Sequence, residues 1–254
     1  MVYTATKRKR LLFDPHASAP FRLSRSKIEL FTKCPRCFYL DRRLGIGQPP
    51  GFPFNLNSAV DILLKKEFDI HRAKNKAHPL MSAYGLDAVP FSHEKLDEWR
   101  DPFKGITYHH IPTNLLITGG VDDVWRHQNG ELIIVDYKAT SKESEVTIDA
   151  EWQDSYKRQM EIYQWLFRKN GWTVTDTGYF VYCNGKRDRE AFDGRLEFDI
   201  TLIPYKGSDG WIEEALGEII SCLKRDTLPE SSFACEYCAY TVAVRDTLDD
   251  FTRH

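Results

Sequence analysis

The chain has 254 residues, 42% hydrophobic and 28% charged, with a formal net charge of −2. That length can bury a sizeable single core, and the proportions are those of a folded globular chain, not a disordered one. No long apolar run is present, so no membrane span is expected, and the near-neutral charge offers no bulk attraction to nucleic acid.

Residues 1–21 read as an irregular arm with a short basic run, Thr6-Lys-Arg-Lys-Arg10, expected to be a solvated tail. The arm lacks the apolar core of a secretory signal, so a reducing, cytoplasmic compartment is expected. Ser24 or Ser26 can cap a helix to about Lys33, with Ile28, Leu30 and Phe31 apolar. Pro35 restarts the chain, and 37–44 continue helically. Residues 45–53 read as a Gly- and Pro-rich loop, and 57–72 as a helix. Residues 73–112 are broken by Pro79, Pro90, Pro102 and Pro112, with Trp99 and Phe103 as anchors; the stretch is a candidate cap over nucleic acid. His109 and His110 read as a surface pair.

Residues 118–138 read as a β-hairpin around the turn signal Asn129-Gly130. A three-residue loop, Gln128-Asn129-Gly130, gives Gly130 the left-handed position, sets His127 opposite Glu131 and brings Asp122 opposite Asp136. Alternation at period two then puts Lys138 on the same face as Asp136, and Asp123 on the other. A two-residue loop would send Asp122 and Asp136 to opposite faces. Two carboxylates that meet across a hairpin repel unless a cation lies between them, and Mg²⁺ or Mn²⁺ suits such oxygen ligands. A lysine beside that ion can orient or deprotonate a water, or stabilise charge on a phosphate.

A helix near 152–169 follows, closed by Asn170-Gly171. It carries Gln159 and Tyr163 one turn apart on one face, and Tyr156 three residues before Gln159, where it could stack on a base. Strands near 177–182 and 195–204 and a helix over 211–224 complete the pattern. Strands alternating with helices predict an α/β fold, a mixed sheet with helices on both faces.

Gly119-Gly-Val-Asp122, Val135-Asp136-Tyr-Lys138 and Gln159-Met-Glu-Ile-Tyr163 together resemble the PD-(D/E)XK nuclease superfamily, and within it the RecB-like branch that includes cysteine-bearing CRISPR-associated exonucleases. The resemblance covers residues 22–245. It implies a restriction-endonuclease-like core acting as a metal-dependent deoxyribonuclease on single- or double-stranded DNA ends, with protein partners in repair, replication or CRISPR adaptation. Asp122 and Asp136 resemble the metal-binding acids, the Tyr137 carbonyl a third ligand, and Lys138 the catalytic lysine. Gln159 and Tyr163 resemble helix residues that support the site and touch nucleic acid, with Tyr156 beside them. Where the branch has a histidine ligand in an early helix, this chain has Asp61, which would tilt the site towards hard ions.

Of six cysteines, four form Cys34-Pro-Arg-Cys37 and Cys235-Glu-Tyr-Cys238. Paired C-x-x-C units signal a four-thiolate site, and spacing alone favours Zn²⁺. The resemblance implies a [4Fe–4S] cluster instead, but its last expected position is Val244, and Cys37 takes that cysteine's place. Either group would clasp the N-terminal helix to the C-terminal segment at 226–245, ahead of a tail at 246–254. Cys183 and Cys222 read as buried apolar residues. The competing function is a nucleic-acid-binding or assembly module that keeps the nuclease scaffold without turnover.

Overall fold

A computed structural model describes residues 7–51 and 54–253. Residues 1–6, Phe52, Pro53 and His254, which belong to the expected arm, loop and tail, lie outside the described residues. The elements in chain order are β1 (Phe21–Ser24), α1 (Arg25–Lys33), α2 (Pro35–Arg42), α3 (Asn55–Ala73), α4 (Pro79–Ala83), β2 (Ala88–Pro90), α5 (Leu96–Arg100), β3 (Ile106–His110), β4 (Leu115–Gly119), β5 (Asp123–His127), β6 (Leu132–Thr140), α6 (Asp154–Lys169), β7 (Thr177–Gly185), β8 (Phe198–Lys206), α7 (Ile212–Leu223) and α8 (Glu236–Thr252). A single 3₁₀ turn, Glu151–Gln153, leads into α6. No described helix is long and apolar enough to cross a membrane.

The chain forms two compact units. One comprises Met1–Gly51, His109–Ile117 and Trp211–His254; the other comprises Phe52–Tyr108 and Thr118–Gly210. The domain expected over 22–245 contributes to both.

The second unit is built on a mixed five-stranded sheet in the order β2-β5-β6-β7-β8. β6 and β7 are parallel, with α6 as their crossover, and the remaining pairs are antiparallel. The mixed α/β architecture expected from the element pattern is therefore present. The β5–β6 register pairs Asp123 with Val135 and Arg126 with Leu132. His127 N–H donates to Glu131 O at 2.9 Å, and Gly130 has φ +91°. The hairpin thus has the three-residue loop, which a positive φ restricts in practice to glycine.

Part of the candidate cap at 73–112 lies in the sheet itself. β2 is its edge strand, where Pro90 costs no interior ladder bond. Trp99 is buried there, whereas Phe103 is exposed.

Helices cover the sheet because their apolar residues recur at helical spacing. Leu64 and Phe68 of α3 pack on Trp125, Ile133, Val135, Tyr137 and Val181, with Phe68 stacked on Trp125 at 5.1 Å between ring centroids. In α6 every residue from Gln159 to Phe167 is buried, so the helix is covered on all sides there. Its polar members are hydrogen-bonded: Gln164 Nε2 donates to the carbonyls of Thr175 and Asp176, and Glu161 accepts from Tyr205 OH at 2.6 Å.

In the first unit, Asp41 is fully buried and accepts Arg8 at 2.8 Å, Lys27 at 2.6 Å and Arg42 at 2.9 Å. Arg8 of the basic run is therefore folded back, not a free tail residue. His110 is also buried, paired with Glu213 at 2.7 Å, which corrects its reading as a surface residue. The segment 246–254 continues α8 as far as Thr252, because no glycine or proline interrupts 236–252.

The central polar feature of the second unit is Asp123, with no exposure to solvent. It accepts from Arg72 Nη2 at 2.5 Å, Arg100 Nη2 at 2.8 Å, Trp125 Nε1 at 3.1 Å and Tyr137 OH at 2.8 Å. Removing the carboxylate strands two guanidinium groups, a defect that costs about 3–5 kcal/mol for a buried pair. Asp123→Ala is expected to lower unfolding stability by that order in urea titration.

Candidate active site

Asp122 and Asp123 are neighbours, so the hairpin sends one carboxylate to each face. Asp123 enters the arginine network, and Asp122 turns the other way. Asp122 Oδ2 accepts from the Tyr137 backbone N–H at 2.9 Å, across the hairpin beside Asp136. Arg100 Nε donates to the Asp122 carbonyl at 3.1 Å, so the same arginine that neutralises Asp123 also fixes the backbone of Asp122. Tyr137 points its ring to the Asp123 side, where burial, then Asp123, raises its phenol well above the ordinary range.

Asp136 is fully buried on β6. Lys138, two residues on and on the same face, ion-pairs with Asp136 Oδ2. From α6, Gln159 Nε2 donates to Asp136 Oδ1 at 2.8 Å and to Tyr163 OH at 3.2 Å. Tyr163 reaches this position because residue 119 is glycine: a Cβ there would stand 2.6 Å from Tyr163 Cε1. Burial works to lower the Lys138 pKa, but Asp136 and Asp122 outweigh it and raise the value above the ordinary lysine range. The ion pair therefore keeps its full stabilisation below the ordinary lysine pKa, and loses it only as pH climbs past the raised value.

Asp61 of α3 comes to the same place through Lys65, one turn along the helix. Lys65 Nζ lies 2.8 Å from Asp61 Oδ2 and 3.4 Å from Asp122 Oδ1. Burial, then the nearby Asp122, raises the Asp61 pKa. Burial opposes the charge of Lys65, but Asp122 and Asp61 overcome it and raise its pKa. Asp61, Tyr137, Lys138 and Tyr156 line one cavity of about 110 Å³. All the candidate residues, Asp61, Asp122, Asp136, Tyr137, Lys138, Tyr156, Gln159 and Tyr163, thus fall in the second unit and in a connected arrangement.

The donors are hard oxygens, and two ammonium groups are lodged among the three carboxylates, so the chemistry of the set fits a hard divalent cation. The three aspartates do not close on one another to within 4.8 Å; among the described residues that spacing is reached by the four cysteines.

Three participants escaped the sequence reading. Lys65 carried a signal, the i, i+4 spacing from Asp61 on a helix. Arg72 and Arg100 carried none, since arginines on amphipathic helices are usually solvated.

Cys34 and Cys37 lie at the start of α2, and Cys235 and Cys238 at the start of α8. Their Sγ atoms all lie within 4.8 Å of one another. Separations are 3.8 Å for Cys34–Cys238, 3.5 Å for Cys37–Cys235 and 3.6 Å for Cys37–Cys238, and none is a disulfide. Burial pushes the Cys34 thiol up, but the backbone amides of Cys37 and Ser232 draw it down to about 7. Burial raises Cys238 to about 11. Four sulfurs brought this close, all but Cys235 on buried residues, can hold a metal ion. Cys183 and Cys222 are buried, free and outside the cluster.

The hairpin acids, the lysine two residues on and the glutamine of α6 are thus brought together in the second unit. The family model of the PD-(D/E)XK nuclease superfamily matches residues 57–243, and the chain belongs to that superfamily, whose members are in general phosphodiesterase nucleases. The chain is similar at 16% identity to a solved structure described as the crystal structure of SSO0001, with a TM-score of 0.39 over 89% of this chain and 87% of that one. No curated protein matches the chain.

Gln159 holds Asp136 without being a metal ligand. Gln159→Leu keeps the volume and removes the hydrogen bond. Activity or divalent-ion affinity is expected to fall on the order of 10–100-fold, with the far-ultraviolet circular dichroism spectrum unchanged.

Proposed function

We propose that the chain is a divalent-metal-dependent deoxyribonuclease of the RecB-like branch, acting as an exonuclease on DNA ends. The observation that carries this reading is the double engagement of buried Asp136, by Lys138 from its own strand and by Gln159 from α6. A buried carboxylate needs one partner for stability; holding it at a fixed angle beside a second acid is what a ligand requires.

In this reading Asp122, Asp136 and the Tyr137 carbonyl, with Asp61, hold Mg²⁺ or Mn²⁺, which supplies an activated water and polarises the phosphate. Asp122 is kept in place by the Tyr137 amide. Lys138, beside Asp136, is placed to stabilise negative charge that develops on the phosphate oxygens as the P–O ester bond breaks. Lys65 neutralises Asp61 and Asp122 while no divalent cation does so. Tyr156, partly exposed, borders the path of the nucleic acid, whereas Gln159 and Tyr163 are buried and support the site without touching that path, a correction to the contact expected of them.

The cysteine cluster is a structural metal site, and the sulfur spacing supports a single Zn²⁺. Bonds of about 2.3 Å put the sulfurs of a tetrahedral site about 3.8 Å apart; three of the six pairs here lie at 3.5–3.8 Å, and all six lie within 4.8 Å. In a [4Fe–4S] cluster each cysteine binds a different iron, which sets the four sulfurs farther apart.

Incubation of end-labelled DNA with the protein and Mn²⁺ or Mg²⁺ tests the reading. Lys138→Ala and Asp136→Ala are expected to abolish cleavage while the protein stays folded. Folded wild-type protein that binds DNA without cutting it would point to a binding module, and cleavage retained in both variants would overturn the assignment. For the cysteines, elemental analysis of anaerobically purified protein is expected to find one zinc per chain, lost in Cys235→Ser together with a drop in melting temperature. Iron with acid-labile sulfide would establish the cluster instead.

A further inference from the structure

Trp152 stands in the 3₁₀ turn ahead of α6 and is 63% exposed. Its ring meets Tyr156 edge-on, with centroids 5.5 Å apart and planes at 81°. Tyr156 lines the cavity that holds Asp61 and Lys138, and Lys138 Nζ lies 4.5 Å from its ring centroid. A chain of contacts therefore runs from Asp136 through Lys138 and Tyr156 to an exposed indole. The cavity, about 110 Å³, is too small for a whole nucleotide, and Tyr156 in its lining is the residue that Trp152 touches.

Tyr156 is only partly exposed, and its ring is engaged by the Lys138 ammonium group and by the T-shaped contact with the indole. Trp152 meets the Tyr156 ring in that T-shaped contact and is otherwise largely open to solvent. A large exposed aromatic face is costly in water and useful to a flat, apolar partner. Nucleobases are such partners, but inside a duplex both faces of each base are already stacked. Only an unpaired or terminal base can cover the indole, and stacking of that kind tolerates any sequence.

We propose that Trp152, held edge-on by Tyr156, is a stacking platform for an unpaired base beside the scissile phosphate, which makes single strands and frayed ends the preferred substrate. The proposal rests on the nuclease reading above. Trp152 is a positioning residue: it grips the strand and leaves the reacting atoms to the aspartates and Lys138.

Trp152→Ala is the variant of choice, because Trp152 is exposed, whereas the Lys138 ammonium rests over the Tyr156 ring and altering Tyr156 would disturb that lysine. The test is equilibrium binding of a labelled oligodeoxynucleotide, single-stranded or annealed to its complement, with Asp136→Asn in the background to suppress cleavage. Trp152→Ala is expected to weaken single-strand binding about tenfold and to leave duplex binding within about twofold. Trp152→Phe is expected to restore most of the loss. An abasic site moved along the strand should reach one position where wild type loses the same factor and Trp152→Ala loses nothing more. Equal losses on single strand and duplex, or additive losses at every abasic position, would overturn the platform. If the wild type with Mn²⁺ neither binds nor cuts any DNA, the nuclease reading fails and the platform with it. If it cuts single strands and Trp152→Ala does so with unchanged KM, the platform alone is wrong.

Discussion

The second unit depends on one buried carboxylate. Asp123 is out of reach of water and holds Arg72 of α3 and Arg100 of α5 at 2.5 and 2.8 Å. An ion pair of this kind does not by itself mean high stability, since apolar residues of the same shape can do as well. Its effect is geometric. It ties two helices and the hairpin to a single point, and because strand side chains alternate, fixing Asp123 on one face fixes Asp122 on the other. Arg100 reinforces this by bonding the Asp122 carbonyl as well. The candidate metal ligand is thereby placed by the residue next to it, whose charge is spent on the protein.

Charge balance organises the opposite face in the same way. Asp61, Asp122 and Asp136 repel one another, and Lys65 and Lys138 sit among them. Both lysines have raised pKa values because the acids outweigh burial. The protein thus supplies two monovalent cations where a divalent one would suit the oxygen donors. Lys138 cannot leave its strand, so its charge stays at the phosphate side of the site. Lys65 sits on a flexible stem with Asp61 one turn away, and can swing aside without disturbing the strands that carry Asp122 and Asp136.

The hairpin register was legible because three signals agreed: Asn129-Gly130, the alternation through β6, and the pairing of two acids that makes sense only at one offset. Gln159 and Tyr163 were legible from helical spacing combined with the family resemblance. The edge strand β2 was not, since three residues ending in Pro90 carry no alternation to read. Arg72, Arg100 and His110 were missed for a related reason: their types predict exposure, and only the partners brought to them by tertiary folding, Asp123 and Glu213, make burial tolerable. The extent of α8 was missed because the cysteines drew attention to its first turn, while its remaining residues are exposed and show no core-facing requirement.

A net charge of −2 gives this chain little of the long-range attraction on which many nucleic-acid-binding proteins rely. Its lysines at the site are already committed to aspartates, and the basic run contributes Arg8 to Asp41. On the proposed reading, recognition relies on short-range contacts, for which the Lys138 ammonium in the cavity and the exposed Trp152 indole next to Tyr156 are the candidates. Short-range binding of this sort favours a strand whose bases are free to move onto the aromatic surface. It also accounts for why the aromatic pair lies on the first turns leading into α6: that helix is covered from Gln159 to Phe167, so its N-terminal end is where it can meet a ligand while its buried length holds Gln159 against Asp136.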